Sequence, residues 1–560
     1  TKSQTNEKSN IENWEKTLSE DCLMIKNIYY LIISTLIIFT SCSSISYKKP
    51  KLVVMLVVDH MRPDLLTRFD DIYDGGFRWL IDNGVWFSNT HHNHSYTATG
   101  PGHTAIGYGQ HPGKVGVIGN SFYDRELKKN VNCVEDPNAK VIGSTSGKAR
   151  STVRYNAKGL GDWIKAAYPQ SKVISIAGKD RTACLMGGEK PDIPIYYNKA
   201  GSFISSDHYI DVAPDWLNNF NENLDIDSYK DSIWEKSLKN SYYEKYARND
   251  HYIGETDDYL NALYSPVFPI GFDRDVDPRS SIMGRPWFER EVLKLSKLAI
   301  VEEKLGKDIA PDLLCVGFSA MDWIIHDYGP FSQEVMDACI KLDRYIGDFI
   351  HFIDRHVGLG NVLFVLTADH GGLPLPEYVV NQGGTGGRIN AAHLGEALEW
   401  IDEECEERLG QNLYHRAGAN FFLDKKKINK AGVDPSLIYE IVDQYLTNVE
   451  GINKVVFKDS IMLDNSKDKV KLRLKNMINS DKTPEFFPIL DPGYLYRSPH
   501  GTGHGSPYDY DTHVPMIFSR KGFRAKQKSQ PFATIDIAPT IAKYLNMDVP
   551  EYCDGKGFDL

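Results

Sequence analysis

Seven consecutive apolar residues, Leu52-Val53-Val54-Met55-Leu56-Val57-Val58, run straight into Asp59. An unbroken apolar run of strand length has no polar face to show to water, so it fits a central parallel strand covered on both sides. A second run, Val362-Leu363-Phe364-Val365-Leu366, leads through Thr367 and Ala368 to Asp369 and His370. Open α/β sheets bind their ligands in the crevice at the carboxyl ends of the strands, where both runs place their acids. Strand-like stretches near 172–177, 312–318 and 513–518 alternate with helical segments. They predict a doubly wound α/β fold, with a mostly parallel central sheet and helices on both faces. The polar intervals near 200–290 and 388–500 read as cap or peripheral insertions.

The acids at the strand ends belong to a wider set. Asp322 and His326 are four residues apart, the spacing that puts two side chains on one helical face within reach of a single ion. Asp369, His370 and His504 follow downstream. Aspartate and histidine donors without cysteine favour zinc over manganese or iron. Singly, an Asp-xxx-His pair belongs to an ordinary solvated helix face, and Asp59 to a solvated strand end. Upstream, Thr97 and Thr99 precede a segment able to continue as a helix, where threonine most often serves as a cap. His91, His92 and His94 form a further cluster, read as solvent-facing loop residues. The glycine-rich stretch 383–387 lacks the Lys-Ser/Thr ending of a phosphate-binding loop and reads as a connecting loop.

Taken in order, Asp59, Thr99-Gly100-Pro101-Gly102-His103-Thr104, Gly119-Asn120, Gly178-Lys179-Asp180-Arg181, Asp322/His326, Asp369/His370 and His504 resemble the alkaline phosphatase superfamily. The likeness is to the phosphate-irrepressible alkaline phosphatases within the type I phosphodiesterase and nucleotide pyrophosphatase branch. It spans the chain from about Lys51 onward. The resemblance implies two Zn2+ ions, one held by Asp322, His326 and His504, the other by Asp59, Asp369 and His370. It implies Thr99 as nucleophile with its oxygen on the second ion, preferred over Thr97 because its spacing to Asn120 fits the pattern. A metal lowers the pKa of a hydroxyl as it lowers that of water, which a threonine nucleophile needs. His504 fits the family's His-Gly segment better than His500, lying just upstream of the strand-like run that begins at His513.

Asn120, Lys179 and Arg181 are implied as contacts to the nonbridging oxygens of the transferred phosphoryl group. Charged donors there suit a doubly charged monoester, and the diester-cleaving relatives lack the Lys/Arg pair. The resemblance therefore implies hydrolysis of phosphate monoesters through a phosphothreonine. The alternatives are a phosphodiesterase or nucleotide pyrophosphatase with the same metals, and a non-catalytic surface protein that binds phosphorylated ligands. No Cys/Ser-x-Pro-x-Arg pattern surrounds Thr99, which excludes the sulfatase branch.

A net charge of −11 over 560 residues, without a long basic tract, argues against nucleic acid as a partner and leaves small phosphorylated substrates. At the N-terminus, Met24-Ile25-Lys26 opens a basic segment followed by about a dozen apolar residues, Ile28 to Phe39, then Thr40-Ser41-Cys42. Residues 1–23 read as an upstream extension, 24–42 as a signal peptide ending at a lipoprotein-type Cys42, 43–50 as a linker and 51–560 as the catalytic domain. An exported periplasmic or cell-surface protein, lipid-anchored through Cys42, is expected. Cys133, Cys184, Cys315, Cys339, Cys405 and Cys553 are too scattered to suggest a pairing, and Cys315 reads as a buried thiol. Oligomeric state is not legible.

Overall fold

The computed structural model describes residues 24, 26, 49–256, 267–272, 276–496 and 499–560. The chain divides into two compact units, Thr1–Lys49 and Pro50–Leu560. The signal segment and Cys42 lie outside the described residues apart from Met24 and Lys26, and the sheets and the site all belong to the second unit. Among the described residues no helix is long and apolar enough to cross a membrane.

Among the described residues the central sheet has ten strands: β1 (Leu52–Val58), β2 (Gly84–Phe87), β3 (Val141–Ile142), β4 (Val173–Ala177), β5 (Ile193–Asn198), β6 (Ser202–Ser206), β7 (Asp312–Phe318), β8 (Val362–Thr367), β9 (Met516–Ser519) and β10 (Lys526–Lys528). They lie in the order β10-β2-β9-β8-β1-β7-β4-β5-β6-β3. The middle five, β8, β1, β7, β4 and β5, are all parallel. Strand β9 runs antiparallel on β8 and β6 antiparallel on β5. The fold is thus α/β with a large mixed sheet whose centre is parallel.

Alternation along β1 explains its unbroken apolar sequence. Leu52, Val54, Leu56 and Val58 enter one core cluster, while Val53, Met55 and Val57 enter the cluster on the opposite face. The helices Trp287–Glu302 and Gln333–His356 contribute to the first cluster, and Leu160–Ala167 and Ile537–Tyr544 to the second. The stretch between 200 and 290 sends Leu217, Trp234, Tyr243 and Ile270 into the first cluster. Farther along, Tyr414–Ala417, Asn420–Leu423, Phe486–Leu490 and Ile452–Phe457 form a separate four-stranded sheet with its own apolar cluster. Cys315 is fully buried on β7, and none of the six described cysteines is paired.

The run expected near 513–518 is split. Pro515 has no N–H to give to a ladder. His513–Val514 pairs with Thr90–His91 in a small sheet, and only Met516–Ser519 joins β8. The Pro515 carbonyl accepts a hydrogen bond from Thr367 Oγ1 at 2.8 Å, which joins the break to the end of β8.

Candidate active site and metal centre

The parallel register brings the ends of β1, β7 and β8 level, pairing Val58 with Phe318 and Val57 with Thr367. Asp59 follows β1 and donates its N–H to the Phe318 carbonyl at 3.0 Å. Asp322 and His326 lie on the helix Ala320–Tyr328 that follows β7, while Asp369 and His370 follow β8 directly. Because β7 and β8 flank β1 on opposite sides, the chain passing from one to the other crosses it, and the site sits at that switch point. His504, far away in sequence, is brought in by a hydrogen bond from its Nδ1 to the Thr97 carbonyl at 2.7 Å.

Two sets of donors converge. His60, Asp322, His326 and His504 each offer an atom within 4.8 Å of the others, and so do Asp59, Asp322 and His370. Asp322 therefore belongs to both. Its Oδ1 lies 3.3 Å from His326 Nε2 and 3.7 Å from His504 Nε2. His370 Nε2 lies 3.4 Å from Asp59 Oδ1 and 3.5 Å from Asp369 Oδ2. Donors bound at about 2.0–2.2 Å to one tetrahedral ion stand about 3.3–3.6 Å apart, so these separations fit a zinc-sized cation.

The hydrogen bonding points the same way. Asp59 Oδ1, Asp369 Oδ2 and His370 Nε2 are buried without a hydrogen-bond partner. Buried polar atoms left so are costly, and His370 Nε2 faces the other two, an arrangement that a bound cation would satisfy. His326, His370 and His504 direct Nδ1 to the carbonyls of Thr502, Gly371 and Thr97. Such bonds select the tautomer that leaves Nε2 free to coordinate.

Thr99 is the first residue of the helix Thr99–Tyr108 and is buried. Its oxygen stands at the N-terminal end of a helix, where the dipole favours negative charge. The helix packs closely, since a Cβ on Gly102 would lie 1.9 Å from the Asp369 carbonyl. Lys179 Nζ is 3.4 Å from Thr99 Oγ1, 2.7 Å from Asp59 Oδ2 and 2.6 Å from Asp322 Oδ2. Asn120 accepts the Gly100 N–H at 2.7 Å through Oδ1, which turns its amide donors the other way. Arg181 contacts Asp180, and its Nε is buried with no hydrogen-bond partner.

Electrostatics follow from packing carboxylates below the surface. Burial opposes the charge on Asp322, yet His326, Lys179 and His60 outweigh it and hold this carboxyl well below its usual range. Burial and the neighbouring Asp369 push Asp59 up. Burial disfavours protonated His370, but Asp369 and Asp59 raise it to about 9. The same contest keeps Lys179 charged, with Asp322 and Asp59 overcoming desolvation. Carboxylates packed below the surface against an ammonium and imidazoles make a pocket suited to positive charge.

Several sequence expectations change. His92 and His94 are fully buried, contrary to the solvent-facing reading. Thr90–His91 is bound into the small sheet, which draws the following residues inward. There His92 bonds the Ala368 carbonyl at 3.1 Å and Thr534 Oγ1 at 2.8 Å, and burial depresses it to about 3. His500 is exposed, and His513 stacks on His91 while bonding the Ser88 carbonyl. His60 was missed, although its place directly after Asp59 at a strand end was an available signal.

Comparison with known proteins agrees with this geometry. The sequence profile of the type I phosphodiesterase / nucleotide pyrophosphatase family matches residues 53–510. Alkaline phosphatase PhoV of Synechococcus elongatus is 31% identical over 513 residues, covering 91% of this chain and 92% of the relative. Alkaline phosphatase PafA of Elizabethkingia meningoseptica is 29% identical, covering 91% and 94%. The crystal structure of PafA superposes with a TM-score of 0.83 at 28% identity, over 91% of this chain and 98% of that one. This chain belongs to the type I phosphodiesterase / nucleotide pyrophosphatase family, within the alkaline phosphatase superfamily.

Proposed function

We propose that this protein is a two-zinc alkaline phosphatase that hydrolyses phosphate monoesters through a covalent phosphothreonine on Thr99. The observation that carries the reading is the meeting of Thr99 Oγ1, at a helix N-terminus, with Lys179 Nζ beside two convergent Asp/His donor sets. The relatives named as alkaline phosphatases support it. So does a solved PafA variant in which a Thr, an Asn, a Lys and an Arg were replaced. The same types stand here at Thr99, Asn120, Lys179 and Arg181 in the same order, with the same spacing within each pair.

Asp322, His326 and His504 would hold one ion, and Asp59, Asp369 and His370 the other. Bound zinc would supply Lewis acidity, lowering the pKa of the Thr99 hydroxyl and offsetting charge on the phosphoryl group. The chain's own residues do the rest. Thr99 Oγ1 attacks phosphorus in line with loss of its hydroxyl proton to solvent, the bond to the leaving oxygen breaks, and the departing alkoxide takes up a proton from solvent to leave as the alcohol. Water then cleaves the phosphothreonine, releasing inorganic phosphate and restoring Thr99. Asn120, Lys179 and Arg181 would bind the nonbridging oxygens, with Lys179 already within reach of Thr99.

Small phosphorylated molecules are the proposed substrates, met outside the cytoplasm by a protein anchored through a lipid on Cys42. The deciding experiment is parallel kinetics on an aryl phosphate monoester and its methyl diester with zinc supplied. A higher kcat/KM for the monoester supports the reading. A preference for the diester replaces it with a phosphodiesterase.

A further inference from the structure

His60 lies outside the ligand set taken from the family pattern, yet it stands inside the metal centre. It is fully buried, and its backbone adopts φ of 66°, a left-handed conformation uncommon for a residue with a Cβ. That turn follows Asp59 immediately and directs the imidazole into the site, while the backbone N–H of His60 donates to Asp369 Oδ1 at 3.1 Å. His60 Nδ1 lies 2.9 Å from Asp322 Oδ1. Its ring centroid is 5.0 Å from that of His326 and 5.0 Å from that of His504, and those two are 5.1 Å apart. Three imidazoles thus form a nearly equilateral triangle around one carboxylate oxygen. Room for the ring depends on Gly372, where a Cβ would lie 1.8 Å from His60 Nε2.

We infer that His60 is a fourth protein ligand, through Nδ1, to the ion held by Asp322, His326 and His504. The four donor atoms lie within 4.8 Å of one another, and the separations of 2.9, 3.3 and 3.7 Å from Asp322 Oδ1 bracket the edge of a tetrahedral zinc site. The inference rests on the two-ion reading above and deepens it. A site with four protein donors binds its ion more tightly than one with three, and must expand its coordination to admit a substrate oxygen. The two ions should therefore differ in retention, the one near His60 being harder to strip.

The test uses the full chain, labelled at its histidine nitrogens, stripped with a chelator and reloaded with NMR-active cadmium. One cadmium resonance should couple to three imidazole nitrogens, one of them an Nδ1, and that coupling should vanish in His60→Ala. Zinc competition should show the same site weakened more than about a hundredfold in His60→Ala, beyond the roughly 10–100-fold expected when a supporting group is lost. Gly372→Ala, which displaces the ring without removing it, should weaken the same ion. If that cadmium couples to only two imidazoles in the unmutated protein, His60 merely orients Asp322 and the inference is overturned, whatever the variants do. Failure to bind cadmium or zinc at either set would defeat the two-ion reading and this inference together.

Discussion

The Thr97 carbonyl accepts a hydrogen bond from His504 Nδ1 at 2.7 Å, joining residues 407 positions apart. Thr97 is held to the same segment by a second bond, from its Oγ1 to the Ser506 carbonyl at 3.0 Å. Its backbone orients an imidazole and its hydroxyl is committed to a carbonyl, whereas the Thr99 hydroxyl faces Lys179. The two threonines therefore do different work two residues apart.

Substituting them should separate those roles. Thr99→Ala should lower turnover on the order of a thousandfold or more while leaving fold and zinc content intact. Thr97→Val removes one neutral hydrogen bond, worth about 1 kcal/mol, and should change kcat by less than about tenfold. Steady-state kinetics and mapping of a trapped phosphoprotein check both. A phosphoryl group found on Thr97 would reverse the assignment.

Metal content should report the sharing of Asp322. His504→Ala removes a donor from one set and should bring zinc toward about one ion per chain. Asp322→Ala removes a donor common to both sets and should lose more zinc than His504→Ala under the same dialysis. Equal retention in the two variants, by elemental analysis, would show that Asp322 serves one ion alone.

Lys179 and Arg181 should matter most where the substrate carries two negative charges. Charged hydrogen bonds contribute about 1.5–3 kcal/mol each, and a pair acting as one unit need not add. Replacing both with alanine should lower kcat/KM for a monoester far more than for a diester, so the ratio between them falls. Equal losses on both substrates would assign the pair a structural role.

A pH effect on stability is expected from Glu289. This carboxyl is buried beneath the helix that carries Asp322 and His326, and Oε1 accepts the Ala320 N–H at that helix's start. Burial raises its pKa from 4.5 to about 8. The folded state therefore binds a proton that the unfolded state releases, and this contribution, complete below pH 4.5, is lost as pH rises through about 8. Glu289→Gln keeps an acceptor for Ala320 and removes the titration, so its stability advantage over the parent should grow across that window, by on the order of a few kcal/mol. Urea unfolding at a series of pH values measures it. Parallel curves for the two proteins would show that Glu289 does not titrate there.

Targeting is tested by Cys42→Ser in the complete chain. The variant should move from the membrane fraction to the soluble fraction if Cys42 carries a lipid. An unchanged distribution would point to another attachment.

Local chemistry was enough to read the parallel centre of this protein. Runs such as Leu52–Val58 and Val362–Leu366 admit few structures other than strands buried on both faces, and an acid placed directly after such a strand lies at the sheet's carboxyl edge. The i, i+4 pair Asp322/His326 was legible for the same reason, since its geometry is set within one helical turn. What sequence could not supply was distance between segments. Only the register of β1 against β7 and β8, and the return of the chain near 504, decide that Asp322 faces both donor sets, that Lys179 reaches Thr99, and that His60 lies among three other histidines. The burial of His92 and His94 was hidden likewise, because it depends on a pairing with residues more than four hundred positions away. Periodicity and propensity act over a few residues, but a metal centre is assembled by backbone pairing and core packing between segments hundreds of residues apart, and those are properties of the folded chain.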